Sequence, residues 1–237
     1  CKNLKQDNPW HIYNCLEHIL HAVENMNKQT IGLDFKIRRL LAYTMFLHDI
    51  GKPECHIRRY SKLYKREVDS FFNHNIAGVK IAARVLREFG FDENEVEIIK
   101  TLVEDHDMFM FITLTNDGNS YHKVLNNDVI MEEVKKLNKV GKGFELMEYL
   151  IMVGISDNLA QNPNMTADSL KLLDAMNNIL ISLTDKFNNK SENKSYDSQF
   201  VTKKSTFEVS GESSEPFPRF FSLFCITLQH IFPVIVR

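Results

Sequence analysis

The chain has 237 residues, 43% hydrophobic and 25% charged, with 29 Lys+Arg against 31 Asp+Glu, which is enough to bury a core as one domain or as one domain with an appendage. A formal charge of -2 and a pI near 6.5 exclude the electrostatic footprint of a dedicated nucleic-acid binder or a basic membrane-surface protein, so any polyanion has to be held by a local patch. Nine Gly and six Pro are too few for the turns of sandwiches, barrels or Gly-rich nucleotide folds, and helices become the default. The cysteines at 1, 15, 55 and 225 form no CxxC pair, which points to a reducing, cytoplasmic setting. Residue 1 is Cys, not Met, and residues 1–10 contain no signal peptide, so the chain is expected to be a piece of something longer.

Apolar spacings of three and four predict an all-α bundle. The first helix, about 13–27, carries Ile12, Leu16, Ile19, Val23 and Met26 along one stripe, with Cys15, His18 and Ala22 on the flank. The second, about 34–48, turns Ile37, Leu40, Leu41, Thr44 and Leu47 inward and ends at Gly51 and Pro53. Residues 54–70 have weak periodicity and many basic side chains, and read as a loop or short helix. Helices follow at about 71–89 and 93–107, then a turn cluster at Asn116, Asp117, Gly118 and Asn119. Further helices are expected at about 129–139, 144–161 and 167–183. From Lys186 the composition becomes polar and reads as a disordered linker, and residues 217–237 form an apolar tail too interrupted for a membrane span. The expected division is therefore a helical domain over 8–184 and a tail over 185–237 with no assigned role.

Four of the nine histidines fall on separate helices of this bundle. His48 follows Leu41 and Thr44 on a buried face with Asp49 next to it, His74 leads into Gly78, Ile81 and Val85, and His106 extends the stripe of Val96, Ile99 and Val103. His18 lies on the first helix, and its neighbour His21 is set among Glu17, Glu24 and Asn25, a solvated face. Asp157 continues the spacing of Leu150, Val153 and Gly154 and would carry a carboxylate into the core, where it needs a cationic partner. A Lys or Arg would serve, but four imidazoles and two carboxylates converging from five helices are more economically read as a metal site.

The order His18, His48-Asp49-Ile50-Gly51-Lys52, His74, His106 and Asp157 resembles the HD superfamily of metal-dependent phosphohydrolases. The strings NPWHIYNCLEHILHAVE, FLHDIGKP, FNHNIAGVKIAARVLREFGF, LVEDHD and ISDNLAQNP are most similar to the HD region of bacterial tRNA nucleotidyltransferases (CCA-adding enzymes), over about two thirds of the chain. The resemblance implies an HD-domain helical bundle in which His18, His48, Asp49 and Asp157 hold one divalent metal. It also implies that His74 and His106 complete a second metal site or bind substrate phosphate, and that Lys52 is directed at phosphate. His11, His56, His122 and His230 match no position of the pattern and read as ordinary surface residues.

Imidazole and carboxylate donors without thiolates suit Mn, Mg, Ni, Co, Fe or Zn, and such an ion polarises a phosphoryl oxygen and lowers the pKa of water. Asp49 is then both ligand and proton acceptor, while Lys52, His74 and His106 offset charge on the phosphoryl group. The expected activity is hydrolysis of a phosphomonoester or cyclic phosphodiester of a nucleotide or of an RNA or tRNA end. The alternatives are a detached HD region of a tRNA nucleotidyltransferase-like protein and a non-catalytic tRNA- or nucleotide-binding module resting on Arg58, Arg59, Lys62, Lys65 and Arg66. Two departures from the family bear on substrate: the basic stretch RRYSKLYKREVDSFFN replaces a short Gly-containing approach to His74, and no nucleotidyltransferase head motif is present. Neither a membrane nor a particular oligomeric state is implied.

Overall fold

The computed structural model describes residues 1–190, so residues 191–237 of the expected tail, with Cys225 and His230, lie outside the described residues. The chain forms α1 (Cys15–Gln29), α2 (Phe35–Leu47), a single turn α3 (Lys52–Cys55), β1 (Ile57–Ser61) and β2 (Arg66–Ser70). It continues through α4 (His74–Glu88), α5 (Glu93–Asp105), a 3-10 turn (Met108–Phe111), β3 (Ile112–Thr113), β4 (Lys123–Val124), α6 (Asn127–Leu137), α7 (Gly143–Leu159) and α8 (Pro163–Lys190). The all-α expectation is met, and no described helix is long and apolar enough to cross a membrane.

α7 is the central helix. Leu146, Met147, Leu150, Ile151 and Val153 are buried around nearly its whole circumference, and it packs against α1, α2, α5, α6 and α8. A helix apolar on all sides has to be enclosed, and this one is. Gly154 permits the closest packing, since a β-carbon there would run into the Phe109 ring and Leu173. The C-terminal part of α7 is thereby held against α8 and the 3-10 turn, and its other side packs on α1, where Asp157 faces His18.

Helix starts follow local chemistry. Asn14 and Glu17 form a reciprocal capping box at α1, Asp92 and Glu95 another at α5, and Asp34 and Asn126 cap α2 and α6. Asn14→Ala is expected to cost about 1 kcal/mol, read as a lower urea midpoint at unchanged slope.

The structure corrects three sequence expectations. Ile12 lies ahead of α1 and is 55% exposed, so the buried stripe of that helix is Cys15, His18, Ile19, Ala22, Val23 and Met26. Helix α8 runs to Lys190, beyond the expected end near 183 and the expected domain boundary at 184, and takes in residues 186–190, the start of the segment read as disordered linker. Residues 57–70 are not a loop or short helix but an antiparallel hairpin pairing Ile57 with Ser70 and Ser61 with Arg66. Its turn places Lys65 at φ 52, a left-handed conformation usually left to Gly or Asn. Asp69 points inward and ties the hairpin to the N-terminal segment: its carboxylate accepts the Asp7 N–H at 2.7 Å, and its own N–H donates to Asp7 O at 3.0 Å.

Candidate metal centre

Five helices and one turn deliver the six predicted side chains to one place. His18 comes from the first turn of α1, His48 is the C-cap of α2, Asp49 occupies the turn after it, His74 opens α4, His106 caps the C-terminus of α5, and Asp157 lies in the last turns of α7. The two C-capping histidines sit at the negative ends of helix dipoles, which favour a cation.

Each imidazole is fixed by the same device. Nδ1 of His48, His74 and His106 lies 2.6, 2.8 and 2.7 Å from the carbonyl three residues earlier, at Met45, Phe71 and Val103, and Nδ1 of His18 lies 3.2 Å from Ala160 O. A carbonyl only accepts, so each Nδ1 carries a proton, and each ring in its neutral form turns its Nε2 lone pair to the interior.

Those lone pairs converge in two groups. Nε2 of His18 and His48 are 3.2 Å apart, and Nε2 of His74 and His106 are 3.1 Å apart. Asp49 stands between the groups: Oδ2 is 3.2 Å from His18 and 3.4 Å from His48, while Oδ1 is 3.1 Å from His74 and 3.8 Å from His106. Asp157 Oδ1 completes the first group, 2.9 Å from His18 and 3.6 Å from His48. His18, His48 and Asp157 form one set of donors able to hold an ion, Asp49, His74 and His106 form another, and His11, His18 and Asp49 lie close enough to form a third.

The donor set tests whether a cation fits. Asp49 Oδ2 and Asp157 Oδ1 are buried without a well-aligned hydrogen-bond donor, no described Lys or Arg pairs with Asp157, and two lone pairs 3.2 Å apart repel unless positive charge lies between them. The proton affinities agree. Burial would push His48 down, yet Asp49 and Asp157 bring it up to about 10, and against the same burial penalty they raise His18. Despite burial, Asp49 is held well below the usual carboxylate range by Lys52, His48 and His18, and Asp157 by His18 and His48. His18 and His48, so eager for a proton, mark the first group as short of positive charge, which a metal ion supplies in the proton's place, whereas burial and His74 push His106 of the second group down to about 4.

The family comparison agrees with this geometry. The HD domain family model matches residues 11–142, more than half of the chain. The chain belongs to the HD domain family. HD domains bind divalent metal ions and carry metal-dependent hydrolase chemistry, and the His/Asp cluster of this HD domain can hold such an ion. The chain is similar to a bifunctional uridylyltransferase/uridylyl-removing enzyme of Rhodopseudomonas palustris, 26% identical over an alignment of 151 residues that covers 57% of this chain and 14% of the relative. It is also similar to the enzyme of the same name from Nitrobacter hamburgensis, at 22% identity over the same shares. The chain thus spans about one seventh of the length of these relatives.

Lys52 is buried beside the HD centre, with Nζ 2.5 Å from Asp49 Oδ2 and donating to Gln6 Oε1 at 2.8 Å. His21 lies on the outer side of α1, stacked near Tyr13, and takes no part. The reading of His11 as an ordinary surface residue is overturned: its ring packs edge-on against His18 at 5.2 Å, and its Nε2 is 3.2 Å from Lys52 Nζ. His11 and Gln6 precede α1, outside any periodic pattern, so only the fold connects them to the centre. His56 is also engaged, pairing with Asp69 at 2.9 Å and stacking on Phe71, whereas His122 pairs with Asp117 in the turn cluster.

Proposed function

We propose that this protein is a metal-dependent phosphohydrolase that cleaves a phosphomonoester or cyclic phosphodiester of a nucleotide or RNA end, with its catalytic domain at 8–184 in a cytoplasmic setting. The observation that carries this reading is the division of the Asp49 carboxylate, one oxygen toward each imidazole pair. His18, His48, Asp49 and Asp157 would hold one divalent ion; His74 and His106, with the other oxygen of Asp49, would hold a second ion or the substrate phosphate. A divalent ion there supplies Lewis acidity toward a phosphoryl oxygen and toward water. Asp49 would take a proton from the attacking water. His74 has the most exposed side chain of the four histidines, at 13%, and is the one an entering phosphoryl group meets first. The name of the relatives includes removal of a uridylyl group, which supports a nucleotide-derived ester as the substrate class.

A second reading is favoured by the small share of those relatives that the chain spans: a detached HD region of a nucleotidyltransferase-like protein, of the uridylyl-transferring or CCA-adding kind. Under that reading, an in-frame nucleotidyltransferase head lies in the coding sequence upstream of Cys1. A tRNA- or nucleotide-binding role without catalysis rests on the hairpin, where Arg59, Lys62 and Lys65 form no ion pair among the described residues.

The test of the main reading is a hydrolysis panel of nucleoside monophosphates, 2',3'-cyclic nucleotides and generic phosphodiesters, run with Mn, Mg, Ni, Co, Fe and Zn. Activity is expected on at least one member of the panel, lost on chelation and restored by adding the ion back. Inactivity across the panel with metal demonstrably bound overturns it.

A further inference from the structure

Lys52 was expected to reach for phosphate, yet its ammonium is directed elsewhere. Its side chain is 6% exposed and faces three acceptors: Asp49 Oδ2, Gln6 Oε1 at 2.8 Å and His11 Nε2 at 3.2 Å. The contact with Asp49 is a close charge contact in which Oδ2 has no aligned hydrogen-bond donor. The aligned partner is Gln6, and His11 is set to be another. His11 Nδ1 is 2.8 Å from Asn8 Oδ1; with its proton there, Nε2 offers a lone pair to the ammonium.

Both anchors lie on one strap, residues 6–11, which is pinned on either side of Lys52. On one side the Asp7 N–H donates to Asp69 of the hairpin, and Asn8 Nδ2 reaches Asp69 O at 3.5 Å. On the other, at the corner between α7 and α8, Asn162 donates through its backbone N–H to Trp10 O at 2.9 Å and through its side chain to Pro9 O at 2.8 Å. Gln6 itself is buried and donates to Tyr13 O at 3.3 Å, which fixes its amide so that the oxygen faces Lys52. The strap is thus a built support and not a passing contact.

We infer that Gln6 and His11 are positioning residues that hold the Lys52 ammonium as a fixed countercharge to Asp49, while leaving Asp49 Oδ2 free to act as a metal ligand. A neutral amide oxygen and a neutral imidazole bind an ammonium without cancelling its charge, so Asp49 stays ionised and its lone pair stays available. Without the anchors, the ammonium turns its N–H groups onto Oδ2 and competes with the ion for it.

The inference rests on the reading of this cluster as a metal centre, and the test separates the two. Mn²⁺ binding to the metal-free chain is titrated by electron paramagnetic resonance for wild type, Gln6→Met, His11→Phe and Lys52→Met, and for each anchor variant combined with Lys52→Met. Each anchor variant is expected to weaken Mn²⁺ binding about tenfold, the scale of a hydrogen bond to a charged group, and to have no effect once Lys52 is Met. His11→Gln, which keeps a neutral acceptor, is expected to bind as wild type does. Anchor effects that are absent, or equally large with and without Lys52, overturn the inference while leaving the metal centre standing. Failure of the wild type to bind Mn²⁺ overturns the metal centre and this inference with it.

Discussion

Asp49→Asn is expected to lower divalent-ion affinity by at least about 100-fold, beyond what loss of a residue that only supports a ligand costs, and to abolish hydrolysis. Asp49 is the one side chain whose two oxygens face different imidazole pairs, at 3.2 Å from His18 on one side and 3.1 Å from His74 on the other. Asparagine keeps the volume but replaces one anionic oxygen with an amino group and leaves the other neutral, so both donor sets lose charge together. It also leaves the Lys52 ammonium buried without its countercharge, a defect worth about 3–5 kcal/mol. A urea titration therefore accompanies metal analysis by mass spectrometry, to separate lost ligation from lost folding. Asp157→Asn provides the contrast: Asp157 faces His18 and His48 only, so this variant is expected to keep the His74 and His106 side intact. Unchanged metal content in Asp49→Asn would sink the assignment.

Gly51→Ala is expected to destabilise the fold by about 3 kcal/mol, at the upper end for overpacking, and to impair the His74 and His106 pair more than the His18 and His48 pair. A β-carbon at Gly51 would strike the His74 carbonyl oxygen and the backbone of Gly78, and backbone atoms cannot rotate aside. The N-terminus of α4 would have to lift away from the turn after α2, carrying His74 with it and straining the packing of α4 on α5 that places His106. His18 and Asp157 belong to α1 and α7 and are not on the displaced element. Gly78→Ala, across the same contact, meets its nearest neighbours at 3.5 and 3.6 Å and is expected to cost under about 1.5 kcal/mol. Metal stoichiometry and urea midpoints of the two variants test this difference; equal effects would show that the Gly51 contact does not set the site.

The helices were legible because burial imposes a period on sequence. Leu40, Leu41, Thr44 and Leu47 are buried as their spacing requires, and Asp92 with Glu95 marks the start of α5. The hairpin was not legible. Its turn at 62–65 is Lys-Leu-Tyr-Lys, without Gly, Asn or Pro, and its second strand buries both Val68 and Asp69, which breaks the alternation a half-buried strand would show. Asp69 turns inward to hold the backbone of Asp7, a requirement created by a contact between distant parts of the chain.

The candidate site divides in the same way. From sequence alone, the identities and inward faces of His18, His48, Asp49, His74, His106 and Asp157 could be read, because each lies on or beside a helix whose apolar stripe reports where it points. Tertiary structure alone decided how these residues are grouped: which oxygen of Asp49 serves which imidazole pair, which backbone carbonyl takes each Nδ1 proton, and where Lys52 sends its ammonium. It also brought in Gln6 and His11, which belong to no helix. Periodicity records the direction of a side chain from its own element, whereas the distance between atoms on different elements is fixed only when the whole bundle closes around α7.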